Sequence, residues 1–215
     1  MKRLLITTRR CGTYLLKHAL KFYGIRSVWI GSEAYTNQLT DEILIGHSNY
    51  KQIEGILSED TTSKVVFLMR RDTLRQAFSY WIIKYVGERG VRQNNISNLE
   101  TKIIIPDTKM SHKICNKILS YQCEIIESEE KCYHIFEKFG INYLTLFYED
   151  NLLGKGECCL EHTIKLICRF YDIPFSRPSN RELLDHITFQ KTNLATEILY
   201  RKFLTYAKHN GFIPQ

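Results

Sequence analysis

Two segments of this chain have the pattern of a buried strand that runs through a short turn into a helix. Apolar residues dominate RLLITT at 3–8 and KVVFLMR at 64–70, and arginine and small hydroxyl residues follow each run. A strand that leads into a helix N-terminus is a natural anion site, because free backbone N–H groups and the helix dipole point at the ligand. Two such turns in one chain indicate a ligand with two separated phosphate-type groups, such as a doubly phosphorylated nucleotide.

The rest of the chain continues the alternation of strands and helices. Further strand patterns lie at 27–30, 42–45 and 142–149, and further helix patterns lie at 51–57, 109–139, 160–171, 181–189 and 194–209. We therefore expect an α/β fold, a three-layer α/β/α P-loop-like domain with a central, mainly parallel sheet and a helical C-terminal part. Ligands of such folds bind at the carboxyl ends of the strands.

Length and local composition set the expected domain organisation. A chain of 215 residues fits one domain, so we expect residues 1–215 to form a single domain, with an added helical appendage as the alternative. The Asn-rich, poorly periodic segment 90–107 is the best candidate for a mobile loop or a substrate-facing lid.

Composition narrows the class of partner. The net charge of +7 favours anionic ligands, but no block of five like charges is present, so we expect no nucleic-acid partner. No apolar run approaches the roughly 20 residues needed to span a bilayer. Seven cysteines without a C-x-x-C pair favour reduced thiols and a cytoplasmic protein, and they indicate no metal site.

The first turn, Thr8 to Tyr14, differs from a Walker A loop. The G-x-x-x-x-G-K-[ST] pattern is absent, with one glycine and no lysine before the hydroxyl residue, which argues against an ATP-dependent kinase. We expect Arg10, the amides of Gly12 and Thr13, and the Thr13 hydroxyl to hold one terminal phosphate. The alternative is an ordinary strand–helix turn with surface arginines.

The second turn places Arg71 after its strand and Ser79 eight residues later in the helix. Asp72 is the expected N-cap of that helix. Seven residues are almost two helical turns, so Ser79 returns to the face on which the helix starts. A guanidinium and a hydroxyl then converge on a second phosphate, which the arginine binds as a fork. The alternative is a solvated arginine and a helix-capping serine.

These residues resemble the PAPS-dependent sulfotransferases, which use 3′-phosphoadenosine 5′-phosphosulfate (PAPS). The first turn looks like their T-x-R-[SC]-G-T-type 5′-phosphosulfate loop, and R-D-x-x-x-Q-A-x-S at 71–79 looks like their 3′-phosphate motif. Within the family, segments 70–81 and 127–152 and the C-terminal ITFQKTNLATEILYRKF are most similar to the bacterial trehalose 2-sulfotransferase-like group. Only 90–107 is unmatched, and Cys11 and Tyr14 replace hydroxyl residues that are usual in the family's loop.

The resemblance implies a cofactor site and a reaction. PAPS would be the co-substrate, no metal would be needed, and a sulfuryl group would pass in line to a hydroxyl of a small acceptor, with carbohydrate as one candidate class. The resembling group suggests a homodimer. The implied cofactor-binding residues are Arg9, Arg10, Cys11, Gly12, Thr13, Tyr14, Arg71 and Ser79, and Arg10 is also a candidate catalytic residue.

The acceptor hydroxyl needs a general base, and the sequence offers two. Glu33, after the second strand, resembles the glutamate base of the trehalose-modifying group. His47 ends the next strand and resembles the histidine base of the wider family, and histidine titrates in the useful range. We favour His47, because it lies at the carboxyl end of a strand.

Two other functions stay open at this point. A non-catalytic protein that binds the bisphosphorylated nucleotide PAP would need neither base. A nucleotide kinase would need ATP and Mg²⁺, and the missing Walker lysine counts against it.

Overall fold

Five parallel strands and seven helices make up the part of the chain that the structure, a computed structural model, describes: residues 1–8, 12–30, 42–88, 109–152, 157–177 and 194–214. The strands are β1 (Arg3–Thr7), β2 (Ser27–Trp29), β3 (Ile43–His47), β4 (Lys64–Met69) and β5 (Asn142–Phe147). The helices are α1 (Thr13–Phe22), α2 (Tyr50–Glu59), α3 (Thr73–Glu88), α4 (His112–Lys138), α5 (Tyr148–Asn151), α6 (Glu157–Tyr171) and α7 (Leu194–His209).

The sheet has the strand order β2-β3-β1-β4-β5, and every neighbouring pair is parallel. In this register Thr7, the last residue of β1, lies opposite His47 on one side and Leu68 on the other. The carboxyl ends of the three central strands therefore meet at one edge of the sheet. The predicted α/β fold with a parallel sheet is confirmed.

Both faces of the sheet are covered, because apolar side chains alternate between two cores along each central strand. On one face, Leu5 and Val66 pack with α1 and α6. On the other face, Ile6 and Phe67 pack with α2 and the second half of α4. Strands buried on both faces explain the nearly continuous apolar runs in the sequence.

The chain leaves β1 and β3 in opposite directions. After β1 it passes to the face covered by α1, and after β3 it passes to the face covered by α2. The point at which neighbouring connections diverge is where open α/β sheets form a ligand-binding crevice. That crevice lies at the ends of β1 and β3, beside Thr7 and His47.

Residues with capping roles mark the end of α1 and the start of α3. The N–H groups of Gly24 and Ile25 bond the carbonyls of Lys21 and Leu20, so α1 ends at a left-handed glycine. Asp72 caps α3 through a 2.8 Å hydrogen bond from the Arg75 N–H to its Oδ1. The pattern at 90–107 lies outside the described residues, as does the helix pattern at 181–189.

The last strand is shorter than its pattern predicts. It was expected to run to Glu149, but β5 ends at Phe147 and the next four residues form the single turn α5. Asn151 Oδ1 accepts the Phe147 N–H at 2.8 Å, and the Leu152 N–H bonds the Tyr148 carbonyl at 2.9 Å. These two bonds turn the chain into a helix and place Glu149 on it.

The chain divides into two compact units. Unit 1 comprises Met1–Arg71 and Ile125–Phe189, and it contains the whole sheet. Unit 2 comprises Asp72–Glu124 and Gln190–Gln215. Within unit 2, Phe78 of α3 packs on Tyr200 and Phe203 of α7, with ring centroids 4.9 and 5.5 Å apart.

Alanine substitutions at two glycines of unit 1 test how closely Tyr148 packs against the first turn. Gly12 and Gly24 both have left-handed backbones, with φ of 88° and 73°. A Cβ on Gly12 would lie 2.5 Å from the Tyr148 ring, whereas a Cβ on Gly24 would meet nothing within 4 Å. We expect Gly24→Ala to lower the free energy of unfolding by about 1 kcal/mol through backbone strain alone. Gly12→Ala should cost about 3 kcal/mol or more, because overpacking adds to the same strain.

Urea denaturation of both variants measures this difference. Equal losses in Gly12→Ala and Gly24→Ala would contradict the close approach of Tyr148 to the first turn.

Candidate functional site

Thr7 connects the ends of β1, β3 and α1. Its Oγ1 lies 2.8 Å from Thr13 Oγ1, 3.2 Å from His47 Nδ1 and 3.3 Å from the Gly46 carbonyl oxygen, to which it donates. His47 itself is exposed at the end of its strand. One hydroxyl therefore fixes the predicted base against the start of the predicted phosphate-binding helix.

The start of α1 has the features of an anion site. Gly12 is its N-cap, no side chain of the described residues caps the helix, and no acidic residue lies in its first turn. The first turn of α1 therefore supplies no carboxylate to the positive end of the helix dipole. Thr13 is buried with its hydroxyl on Thr7, whereas the Tyr14 side chain is exposed.

Part of the predicted loop lies outside the described residues. This applies to Arg9, Arg10 and Cys11, and also to Glu33, the second predicted base. Their roles stay predictions. Ser79 lies within α3 in unit 2, whereas Arg71 belongs to unit 1, so the pairing of the two on one phosphate also stays a prediction.

Arg71 is held at the carboxyl end of β4 by two acidic residues of α5. Its backbone N–H bonds Glu149 Oε2 at 2.9 Å, and its Nε and Nη2 bond Asp150 Oδ2 at 3.0 and 2.6 Å. The guanidinium also lies over the Phe147 ring, with 4.0 Å between its carbon and the ring centroid. The Arg71 side chain remains 58% exposed, so a solvent-borne anion can reach it.

Glu149 also anchors the neighbouring arginine. Its Oε1 accepts a bond of 3.1 Å from Arg70 Nε, and that guanidinium lies over the Tyr148 ring. Burial raises the pKa of Glu149, but the Arg71 N–H and the Arg70 side chain outweigh it, so the net pKa is lowered. Glu149 therefore stays ionised and fixes the chain at the end of β4. It has a positioning role.

Glu129 of α4 was missed by the sequence reasoning. It hydrogen-bonds the side chain of Thr8, which follows β1, and burial raises its pKa from 4.5 to about 7. Its Oε1 is buried and has no hydrogen-bond partner among the residues that the structure describes. The preceding residue, Ser128, contacts Ser48, which directly follows His47. The Ser128 hydroxyl donates to the Ser48 carbonyl at 2.8 Å and lies 2.7 Å from the Ser48 hydroxyl. This part of α4 therefore packs on the ends of both β1 and β3.

A pattern in the sequence does mark Glu129. Ile125, Glu129, Cys132 and Phe136 follow one another at helical spacings of four, three and four residues, and the other three are buried. A carboxylate at a core position of an amphipathic helix is unusual, because burying an ionised group without a partner is costly. This position could have been identified before the structure.

The described residues contain no group of three or more His, Cys, Asp and Glu side chains that is placed to hold a metal ion. Within the same ranges, no helix has the length and apolar character needed to cross a membrane. Five cysteines of the described part are free thiols.

Comparison with known proteins identifies the fold. No protein-family model matches the chain, and no curated protein matches it. Among solved structures, the chain is similar to the crystal structure of the mouse sulfotransferase SULT7A1 complexed with PAP, with a TM-score of 0.53 and 16% sequence identity. The fold is sulfotransferase-like. The similarity covers 87% of this chain and 63% of that one, so the chain spans less than two thirds of that neighbour's length.

The raised pKa of Glu129 predicts a pH-dependent stability. Between about pH 4.5 and 7 the folded state keeps a proton that the unfolded state has released, so the free energy of unfolding falls as the pH rises. Glu129→Gln removes this titration. We expect the variant and the original chain to be similarly stable at pH 5, and the variant to be more stable at pH 8, by at most about 3 kcal/mol.

Melting temperatures of both proteins across this pH range provide the measurement. Glu130→Gln, a change at the exposed neighbouring position, is the matched control. A parallel pH profile for Glu129→Gln and the original chain would contradict the burial of the Glu129 carboxylate.

Proposed function

We propose that this protein is a PAPS-dependent sulfotransferase that acts on a hydroxyl of a small molecule. The main support is one arrangement on a sulfotransferase-like fold. The uncapped N-terminus of α1 and the exposed guanidinium of Arg71 follow β1 and β4, which are adjacent strands. Adjacent strands lie about 4.8 Å apart, so the two anion-binding groups suit one ligand with two phosphate-type ends.

The first end of the ligand would be the 5′-phosphosulfate. Backbone N–H groups at Gly12 and Thr13 and the helix dipole of α1 suit its negative charge. Arg10 would neutralise charge on the leaving phosphate, with Arg9, Cys11 and Tyr14 completing the site. The chemistry then depends on positioning and electrostatic stabilisation by protein groups.

The second end would be the 3′-phosphate, bound by Arg71 together with Ser79. Arg71 already has a fixed direction, because Asp150 and the Phe147 ring hold its guanidinium. A pre-oriented guanidinium loses less side-chain entropy when it binds a phosphate.

His47 is the proposed general base, with Glu33 as the alternative. Thr7 has one hydroxyl proton, and when that proton goes to the Gly46 carbonyl, His47 Nδ1 donates to Thr7. His47 Nε2 is then the basic nitrogen. It accepts the proton of the acceptor hydroxyl while the acceptor oxygen bonds to sulfur and the bond from sulfur to the 5′-phosphate oxygen breaks, which leaves PAP.

Finer features of this proposal come from the resemblance. They are membership of the trehalose 2-sulfotransferase-like group, a carbohydrate acceptor and a homodimer. The proposed cytoplasmic location comes instead from the cysteine content, which favours reduced thiols.

Two substitutions separate cofactor binding from turnover. Arg71→Ala should weaken PAP binding by about tenfold or more, because it removes a charge-assisted phosphate contact. His47→Ala should keep PAP affinity and lose turnover by about 100-fold or more, because it removes the general base. Calorimetry with PAP and release of PAP from PAPS measure the two quantities.

Arg26→Ala is the matched control for the loss of positive charge. Arg26 is exposed and precedes β2, at the opposite edge of the sheet. Equal weakening by Arg71→Ala and Arg26→Ala would contradict a specific 3′-phosphate site. Unchanged turnover in both His47→Ala and Glu33→Ala would contradict the proposed bases. A biological effect that stays intact in both variants, with no release of PAP from PAPS by the original chain, would favour the non-catalytic alternative.

A further inference from the structure

Three aromatic side chains form a row along the carboxyl edge of the sheet in unit 1. Tyr14 from the first turn of α1 contacts Trp29, the last residue of β2, with ring centroids 5.7 Å apart. Trp29 in turn contacts His47, the last residue of β3, at 5.4 Å. Lys17 Nζ lies 5.2 Å from the centroid of the Trp29 ring. We call Tyr14, Trp29 and His47 the aromatic row.

The aromatic row lies on one side of β1, and Arg71 lies on the other. In the order β2-β3-β1-β4-β5, Trp29 is two strands away from β1, and Arg71 follows the strand next to β1 in the opposite direction. A nucleotide that spans the α1 N-terminus and Arg71 thus occupies the β1–β4 side. The β2–β3 side, where the row lies, is left for the second substrate.

Tyr14 presents an exposed ring in the aromatic row. Its side chain is 47% exposed, and its ring contact is with Trp29. Aromatic rings carry a large apolar area and prefer other flat faces. Because the aromatic row ends at His47, the proposed base, the exposed Tyr14 ring provides such a face close to where the acceptor hydroxyl would react.

We propose that Tyr14 and Trp29 are the acceptor-binding platform, and that the acceptor is a hydroxylated ring compound that lies against them with its hydroxyl toward His47. This inference rests on the proposed sulfotransferase function. The shared chemistry is a flat ring face with a hydroxyl, which both a sugar and a phenol provide. Tyr14, which departs from the family's usual hydroxyl residue, is therefore a specificity residue for the acceptor.

Tryptophan fluorescence tests the proposal directly, because the chain has two tryptophans, Trp29 and Trp81. Trp81 is buried in unit 2, where it stacks on Tyr85. Trp81→Phe leaves Trp29 as the single tryptophan, so tryptophan emission then reports on Trp29 alone. The probes are trehalose and 4-methylphenol, with glycerol as a hydroxylated compound that has no ring, and each is titrated with PAP present.

We expect one ring probe, and not glycerol, to change Trp29 emission in a saturable manner. Trehalose would identify a sugar acceptor, and 4-methylphenol an aryl acceptor. Tyr14→Ala, compared at saturating PAP, should weaken that binding by about fivefold or more. Tyr143→Ala is the matched control, since this exposed tyrosine also has ring contacts but lies at the start of β5.

The outcomes separate this inference from the proposed function. If PAP binds and neither ring probe changes Trp29 emission, or if Tyr14→Ala binds the active probe as tightly as Tyr143→Ala, the platform is wrong and the sulfotransferase proposal stands. If PAP itself does not bind, the proposed function fails. Should Trp81→Phe not fold, the difference in emission between the original chain and Trp29→Phe, together with calorimetry of the same probes, gives the same answer.

Discussion

The placement of β1 between β3 and β4 is the constraint on which the rest of the site depends. The parallel register puts Thr7 level with His47 on one side and Leu68 on the other, so the ends of three strands form one edge. Thr7 then joins His47 to Thr13 at the start of α1. A shift of this register by one residue would reverse the faces of β1 and separate these groups.

Glu149 fixes the part of this edge that follows β4, on the side of β1 opposite to β3. Its two oxygens hold Arg70 and the backbone of Arg71, while Asp150 and Phe147 fix the Arg71 guanidinium. These contacts join residues almost 80 positions apart in the chain. The burial cost of Glu149 is offset by the Arg71 N–H and the Arg70 side chain, whereas the Thr8 hydrogen bond of Glu129 does not offset its burial, and its pKa is raised. The pKa values of these two carboxylates in unit 1 are thus shifted in opposite directions because their hydrogen-bond partners differ.

Local patterns were sufficient to predict the framework. The apolar run of β1, the glycine that ends α1 and the Asp72 cap of α3 are all readable from neighbouring residues, and each is found in the structure. The turn at Tyr148 was not predicted, because it depends on the Asn151 side chain bonding the Phe147 backbone. The Asp150–Arg71 pair and the Glu129–Thr8 contact arise from packing of distant segments, which no local pattern specifies. The roles of Arg9, Arg10, Cys11 and Glu33 remain predictions from the sequence.

The carboxyl edge of the sheet is proposed to bind a nucleotide with phosphate-type groups at both its 5′ and 3′ positions. Titration calorimetry that compares PAP, PAPS and ATP with the same protein sample tests this proposal most directly. ATP has a longer phosphate chain but no 3′-phosphate, so it lacks the group that Arg71 is proposed to hold. We expect PAP and PAPS to bind at least about tenfold more tightly than ATP without added metal. PAP binding no tighter than ATP would contradict it.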